Sequence, residues 1–442
     1  MFDRRLITNF DWILFLLVVV IALIGVAAIY SASQGYQENT QYWLRQLFWL
    51  GGGILIGVVV LLVDFRTIGA MAYYIHGAVV FSLLVLIILK PGVGTHGVNR
   101  WFMVGPVAVQ PSEFIKLSMV LAVAYYFRNS GRGGNLGLKE LFWPLLIVMV
   151  PFALIVNQPD LGTALLLVLV FLPMVILAGV KPRLLLIGFI LGILAIAAVV
   201  ASFQFGAYQV DESVIRRLQK QGLNGPALRQ VESLKDQRYF LSTSLNSALE
   251  EANNGLRDEQ IHEMVEEAAF QPFISKILRP YQQRRLVTFL NPENDPLGSG
   301  YHIIQSKVAI GSGRFWGKGY GESTQGALNF LPARHTDFLF SIFAEEWGLV
   351  GATSLIGLYL AFTLRGVMII LQTHDRFSAF LIMGILAIIT SQVVINMGMA
   401  VGMLPVVGVP LPFFSYGGSS MISLMVGVAL ILNIRMRRFL WS

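Results

Sequence analysis

Two groups of residues in this chain carry obvious chemistry: an aspartate in a turn-rich segment and an acid–base pair inside an apolar one. Asp295 lies in NPENDPLGSGYHIIQS, residues 291–306, between Asn294 and Pro296. Proline fixes φ and removes a backbone donor, and Gly298 and Gly300 permit left-handed turns, so the segment is predicted to be a shaped loop. A carboxylate held in such a loop can act on a bound substrate as a base. Glu113 and Lys116 stand three apart in QPSEFIKLSM, residues 110–119. On a helix that follows Pro111 they share a face and can pair. Ionisable groups in apolar segments are expensive. The pair is therefore either a neutralised structural anchor or part of a cavity that grips a charged head group.

Other polar residues are open to two readings. Arg100 and Trp101, in THGVNRWFMVGP, put a cation beside an aromatic, as would an interfacial tryptophan with a snorkelling arginine. Asp160, in NQPDLGT, begins an apolar segment, where it can cap a helix or serve a site. Arg334, His335 and Asp337 crowd another segment start as a structural corner or as chemistry. Two motifs fail. GSGRFWGKG, residues 311–319, lacks the spacing of a phosphate-binding loop, and no Ser or Thr follows Lys318. The six histidines show no zinc spacing. Any metal would be a loosely held, oxygen-bound divalent cation such as Mg²⁺ or Mn²⁺, brought by a pyrophosphate.

The elements that must position these residues are membrane helices. The chain of 442 residues is 55% hydrophobic and 13% charged, against roughly 25% charged in soluble domains. Ten apolar segments approach the length that spans a bilayer, near 12–31, 44–63, 68–89, 111–127, 142–157, 161–180, 184–203, 338–364, 378–400 and 418–434. The expected fold is an all-α polytopic membrane protein with ten transmembrane helices. An even count puts both termini on one side. Arg4, Arg5, Arg66, Arg128, Arg132, Lys139, Lys181, Arg183, Arg365, Arg376, Arg435, Arg437 and Arg438 make that side cytoplasmic by the positive-inside rule. The apolar run after Arg5 is too long for a cleaved signal peptide. With no cysteine there is no disulfide or thiolate metal site. The net charge of +7 reflects cytoplasmic anchoring and not nucleic-acid binding.

These boundaries divide the chain into helices one to seven (1–203), a long extracytoplasmic loop (204–335) and helices eight to ten (336–442). Within the loop, 211–276 holds 8 Lys/Arg and 11 Asp/Glu, whereas 279–335 holds 7 Lys/Arg and 3 Asp/Glu. The acidic part reads as a helical insertion, with Leu228, Val231 and Leu234, then Leu241, Leu245 and Leu249, at spacings of three or four. Asn224, Gly225 and Pro226 break it, as do Asn253, Asn254 and Gly255. It serves either as a solvated extension or as a partner-docking element. The basic part contains Asp295, and such a surface favours a phosphate-bearing substrate.

The ten-segment plan with QPSEFIKLSM at 110–119, NQPDLGT at 157–163, NDPLGSGYHIIQSKVAIGSG at 294–313, FLPARHTDF at 330–338 and GMLPVVGVPLPFFSYGGSS at 402–420 resembles the SEDS family of peptidoglycan polymerases. The wording of GYHIIQSKVAIGSG and LPVVGVPLP is closer to the elongation branch than to the division branch. The resemblance covers most of the chain except 211 to roughly 276. It departs from the family at Arg314, where a second glycine is usual, and at Ala333, where an acid is usual.

The resemblance implies a glycosyltransferase of the bacterial cytoplasmic membrane that polymerises lipid II on its outer face for cell elongation and rod shape. Its partners would be a class B penicillin-binding protein and other elongation-machinery membrane proteins. Asp295 matches the family's essential loop aspartate and would take the proton of the acceptor hydroxyl. Arg100, Lys116, Arg284, Arg285 and the divalent cation would stabilise the pyrophosphate leaving group. Glu113 and Asp160 complete the expected substrate-binding set, and no organic cofactor is implied. The competing classes are a lipid II transporter, which would bind near the bilayer midplane, a division-branch polymerase, and a non-catalytic scaffold with no need of Asp295.

Overall fold

The structure, a computed structural model, describes residues 8–33, 41–89, 100–105, 107–128, 136–158, 160–204, 207–209, 215–216, 218–219, 225–233, 238–239, 270–271, 285, 289, 299–327 and 335–438. They fall into two compact units, Met1–Leu185 with Thr288–Ser442, and Leu186–Val287.

Every predicted apolar segment lies on helix, because a backbone in hydrocarbon must satisfy its own hydrogen bonds. The first unit opens with α1 (Trp12–Ser33) and α2 (Tyr42–Leu62). The third segment is two helices, α3 (Phe65–Ala70) and α4 (Ala72–Leu89), parted at Met71. Asp64 caps α3 by accepting from the Arg66 amide at 2.8 Å. There follow α5 (Pro111–Phe127), α6 (Leu138–Asn157), α7 (Leu161–Leu177) and the start of α8 (Pro182–Gln204). After the second unit come α10 (Ser299–Ser312), α11 (Thr324–Ala327), α12 (Leu339–Leu371), α13 (Arg376–Ala400) and α14 (Gly418–Arg437). Among the described residues, seven helices are long and apolar enough to cross a membrane, and α7 and part of α8 are shorter apolar helices. Large apolar side chains such as Leu55, Phe81 and Leu191, each at least 60% exposed, suit a hydrocarbon surrounding.

Short strands occur in two places within this predominantly helical chain. Phe102–Val104 (β1) and Val107–Val109 (β2) form an antiparallel hairpin, Phe102 opposite Val109, turning through Gly105 at φ 61°. In the second unit, Ala207–Gln209 (β3) pairs with both Arg238–Tyr239 (β4) and Phe270–Gln271 (β5), and Pro226–Ser233 forms the helix α9. Tyr208, Tyr239 and Phe270 are strand-favouring residue types, but runs of two or three residues leave no readable periodicity. The helix α9 begins where Gly225, at φ 69°, and Pro226 predicted a break. Asn224, Leu234, Leu241, Leu245, Leu249, Asn253, Asn254 and Gly255 lie outside the described residues.

The first unit includes 288–335, because α10 is packed into the bundle. Ala309 is fully buried, and the Ser306 hydroxyl donates to the Ala400 carbonyl at 2.6 Å and lies 2.6 Å from the Ser341 hydroxyl. Small residues let the long helices approach. On α2, a Cβ at Gly53 would fall 2.8 Å from Met425 Cγ on α14.

Candidate active site

The first two turns of α5 carry the expected ion pair. Lys116 Nζ donates to Glu113 Oε2 at 2.7 Å, with side chains 2% and 7% exposed. Pro111 stands at the first helical position, where its missing N–H costs nothing, so Glu113 falls in the opening turn and Lys116 in the next. The Ser423 hydroxyl of α14 donates to the Glu113 carbonyl at 2.9 Å, and the Gln110 amide donates to the Ser419 hydroxyl at 3.1 Å. The start of α14 is thereby stitched to the start of α5.

Asp160 joins this cluster as a helix cap. It accepts the Thr163 amide at 3.3 Å on Oδ1, and the Thr163 hydroxyl at 2.9 Å and the Ser112 hydroxyl at 3.5 Å on Oδ2. The Gln110 amide side chain donates in turn to Ser112 at 2.8 Å. Arg100 Nε donates to the Gln158 carbonyl at 2.9 Å, and the Gln158 side chain donates to the Leu83 carbonyl at 3.2 Å. The structure sets Ser112, next to Glu113, against Asp160, pairs Lys116 with Glu113, and holds Arg100 on the carbonyl of Gln158, two residues before Asp160. The starts of α5, α7 and α14, whose dipoles favour anions, meet there.

The 402–420 motif closes over this end. A Cβ on Gly162 would lie 2.5 Å from the Val407 carbonyl oxygen, so only glycine lets α7 touch that loop. Asn396 Nδ2 donates to the Val409 and Asp337 carbonyls at 2.8 and 2.9 Å. His335 stacks on Tyr42 at 4.4 Å, and its carbonyl accepts the Tyr416 amide at 3.0 Å. Here the structural-corner reading of 335–337 describes the observed contacts.

A second polar centre escaped the reading of the sequence. Glu345 and Glu346, side by side on α12 and both buried, adjoin a break at Gly348, where φ is 63°. Residues 313–323 form a strap into that break. Lys318 and Gly319 donate their amides to the Glu345 and Glu346 carbonyls, each at 3.0 Å, while Leu349 and Val350 donate to Arg314 and Phe315 carbonyls at 2.9 and 3.2 Å. The strap thus supplies the partners that the broken turn lacks. Glu345 also accepts from Lys318 Nζ at 2.5 Å, Ser323 at 2.5 Å and Thr324 Oγ1 at 2.7 Å, and Ser31 of α1 donates to Glu346. The Tyr320 hydroxyl donates to the Ala27 carbonyl at 2.9 Å, and burial pushes its pKa above the ordinary tyrosine value. Two adjacent acids in an apolar segment were the available signal.

Asp295, Arg284 and Arg334 lie outside the described residues, and Arg285 belongs to the second unit. A divalent cation finds no ready cage: among the described residues no three acidic or histidine side chains cluster, Glu113 is matched by Lys116, and Asp160 is engaged as a cap.

Several helices long and apolar enough to cross a bilayer define the class as a multi-pass membrane protein. Residues 10–219 and 254–439 match the FtsW/RodA/SpoVE family of cell cycle proteins. The chain is 34% identical to peptidoglycan glycosyltransferase RodA of Treponema pallidum, over 98% of this chain and 99% of that one. It is 31% identical to peptidoglycan glycosyltransferase MrdB of Escherichia coli, over 97% and 94%. A solved chain from a peptidoglycan synthase complex that coordinates polymerization and crosslinking superposes with a TM-score of 0.66 at 27% identity, over 97% and 98%. The rod shape-determining protein RodA of Thermus thermophilus shares the fold at a TM-score of 0.59 and 24% identity, over 97% and 98%. The chain belongs to the FtsW/RodA/SpoVE family, the SEDS proteins. The stretch left unmatched by the family, 220–253, falls inside the insertion expected at 211–276.

Proposed function

We propose that the protein is a peptidoglycan glycosyltransferase that polymerises lipid II into glycan strands at the outer face of the cytoplasmic membrane, in the elongation branch of its family. The observation that carries this reading is full-length similarity to proteins named peptidoglycan glycosyltransferases, joined to a buried Glu113–Lys116 pair near the start of α5. In the proposed arrangement ten helices span the membrane with both termini inside. The arginines at the ends of α3, α5, α12, α13 and α14 support that orientation.

The acceptor sugar's 4-hydroxyl attacks the anomeric carbon of the donor, its proton passes to Asp295, and the bond to the lipid pyrophosphate breaks. Lys116, paired with Glu113, is a candidate cation for the leaving pyrophosphate, and Arg100, Arg284 and Arg285 are the others. Asp160 orders the start of α7 beside them. Mg²⁺ or Mn²⁺ would enter with the pyrophosphate and neutralise part of its charge. A class B penicillin-binding protein is the proposed partner, since a related chain comes from a complex that joins polymerization to crosslinking.

The test is polymerisation by the purified protein. Wild type given lipid II and Mg²⁺ should form glycan chains, and Asp295→Asn should fold normally and form none. Polymer from that variant removes Asp295 as the base. Lipid transport without polymer from wild type would assign the protein to the transporter class.

A further inference from the structure

The strap at the break in α12 leaves its largest side chains uncovered. Phe315 and Trp316 are 53% and 76% exposed, and Tyr320, Trp347, Leu349 and Val350 are exposed beside them. The backbone that carries them is nonetheless tied down. The Gly317 amide donates to the Gly313 carbonyl at 2.8 Å, and the amides of Lys318, Gly319, Leu349 and Val350 join the strap to α12.

The depth of these side chains in a bilayer can be measured along two helices from one landmark, the ion pair of Asp11 and Arg365 at 2.9 Å. The apolar segments 12–31 and 338–364 both end at this pair, which therefore marks one edge of the hydrocarbon. Along α12, fifteen residues of unbroken helix lead from Arg365 back to Val350, whose amide meets the Phe315 carbonyl at 3.2 Å. That is about 22 Å at the α-helical rise. Along α1, sixteen residues lead from Asp11 to Ala27, whose carbonyl accepts the Tyr320 hydroxyl at 2.9 Å. That is about 24 Å. With a hydrocarbon core about 30 Å thick, both measures set the strap about 6–8 Å inside the opposite edge.

We propose that the strap is a re-entrant element whose tip, Phe315 and Trp316, inserts into lipid, in the outer leaflet for the orientation given above. The depth itself does not depend on which face is outside. Irregular backbone is tolerated at such a depth where its polar groups are bonded to protein, and the pairing with α12 supplies those bonds. Tryptophan and tyrosine gather at this level of a membrane, where an apolar ring and a polar edge each find their own phase. Arg314, exposed at the same level, has a stem long enough to lift its guanidinium to the head groups. Lipid is the occupant because the aromatic tip continues an apolar face of α12, on which Leu349, Ile356 and Leu360 follow one another at helical spacing, all exposed.

The chain has no cysteine, so a nitroxide attached at Trp316→Cys reports the surroundings of the tip in the full-length protein. The measurement, in phosphatidylcholine–phosphatidylglycerol bilayers, compares collisions with oxygen, which concentrates in hydrocarbon, and with a neutral nickel chelate, which stays in water. The label at position 316 should meet oxygen several-fold more often than nickel, as should one at Leu360→Cys on the apolar face of α12. Labels at Glu322→Cys and His374→Cys should favour nickel. Phe315→Cys repeats the measurement from the neighbouring residue. A preference for nickel at both 315 and 316 would put the strap in water and overturn the insertion. Few collisions with either reagent at both positions would mean that protein covers the tip, and would overturn lipid as its partner.

Discussion

Lys318 Nζ and Glu345 Oε1 meet at 2.5 Å across the break in α12, fixing a glycine-rich strap to a buried carboxylate. The glycines of 311–319 invite comparison with a phosphate cradle, yet their amides serve helix carbonyls and their lysine serves an acid of the same chain. The strap explains how the membrane helix can break at Gly348 without orphaning its backbone.

Removing Glu345 should cost more than removing Lys318. Glu345→Ala takes one acceptor from each of Lys318, Ser323 and the Thr324 amide, whereas Lys318→Ala leaves a carboxylate that keeps its hydroxyl and amide donors. Because Lys318 is 28% exposed, the loss for Glu345→Ala should fall somewhat below the roughly 3–5 kcal/mol of a fully buried pair, and that for Lys318→Ala near 1 kcal/mol. Thermal unfolding in detergent measures both, and the reverse order would contradict this account of the strap.

Glycine requirements within the strap should differ by position. A Cβ at Gly317, where φ is 83°, would sit 2.0 Å from the Glu346 carbonyl oxygen, whereas at Gly319 the nearest atom is 3.6 Å away. Gly317→Ala should therefore cost more than about 2 kcal/mol, and Gly319→Ala only the left-handed strain of about 1 kcal/mol. Arg314 already occupies that region at φ 52°. Arg314→Gly should match or exceed wild-type stability, since its carbonyl still accepts the Leu349 amide.

Orientation can be read directly because the chain has no cysteine to remove. Glu322 and His374 are exposed on either side of α12. Glu322→Cys should react with an impermeant maleimide on intact cells, and His374→Cys only after permeabilisation. The opposite pattern would invert the topology.

Legibility in the sequence followed the range of the interactions. The helices were readable because apolar runs and helix periodicity are local, and the Glu113–Lys116 pair was readable because an i,i+3 spacing brings the two side chains together. Asp160 as a cap was readable for the same reason. Ser423, which touches the Glu113 carbonyl from 310 positions away, left no local mark. Nor did the strap, whose glycines make sense only against Gly348, a residue on another element.

Asp160 separates structure from substrate binding. Asp160→Ala removes the cap on α7 and should cost about 1 kcal/mol, whereas Asp160→Asn keeps an acceptor oxygen for the Thr163 amide and should melt close to wild type. Loss of polymerisation in the asparagine variant at unchanged melting temperature would give the carboxylate charge a role in the substrate site beyond the cap.

The Glu113–Lys116 pair permits a sharper separation. Burying two charges is costly, and their mutual attraction repays that cost only when both are present. Lys116→Met leaves a buried carboxylate alone and should destabilise by about 3–5 kcal/mol. The double variant Glu113→Gln with Lys116→Met removes both charges while keeping similar volume, and should recover most of that loss. A purely structural pair predicts that activity returns with stability. If Lys116 instead meets the leaving pyrophosphate, the double variant should melt near wild type and polymerise no lipid II, because the restored packing supplies no cation. Recovery of polymerisation in the double variant would make the pair an anchor and transfer the leaving-group role to Arg100 and the loop arginines.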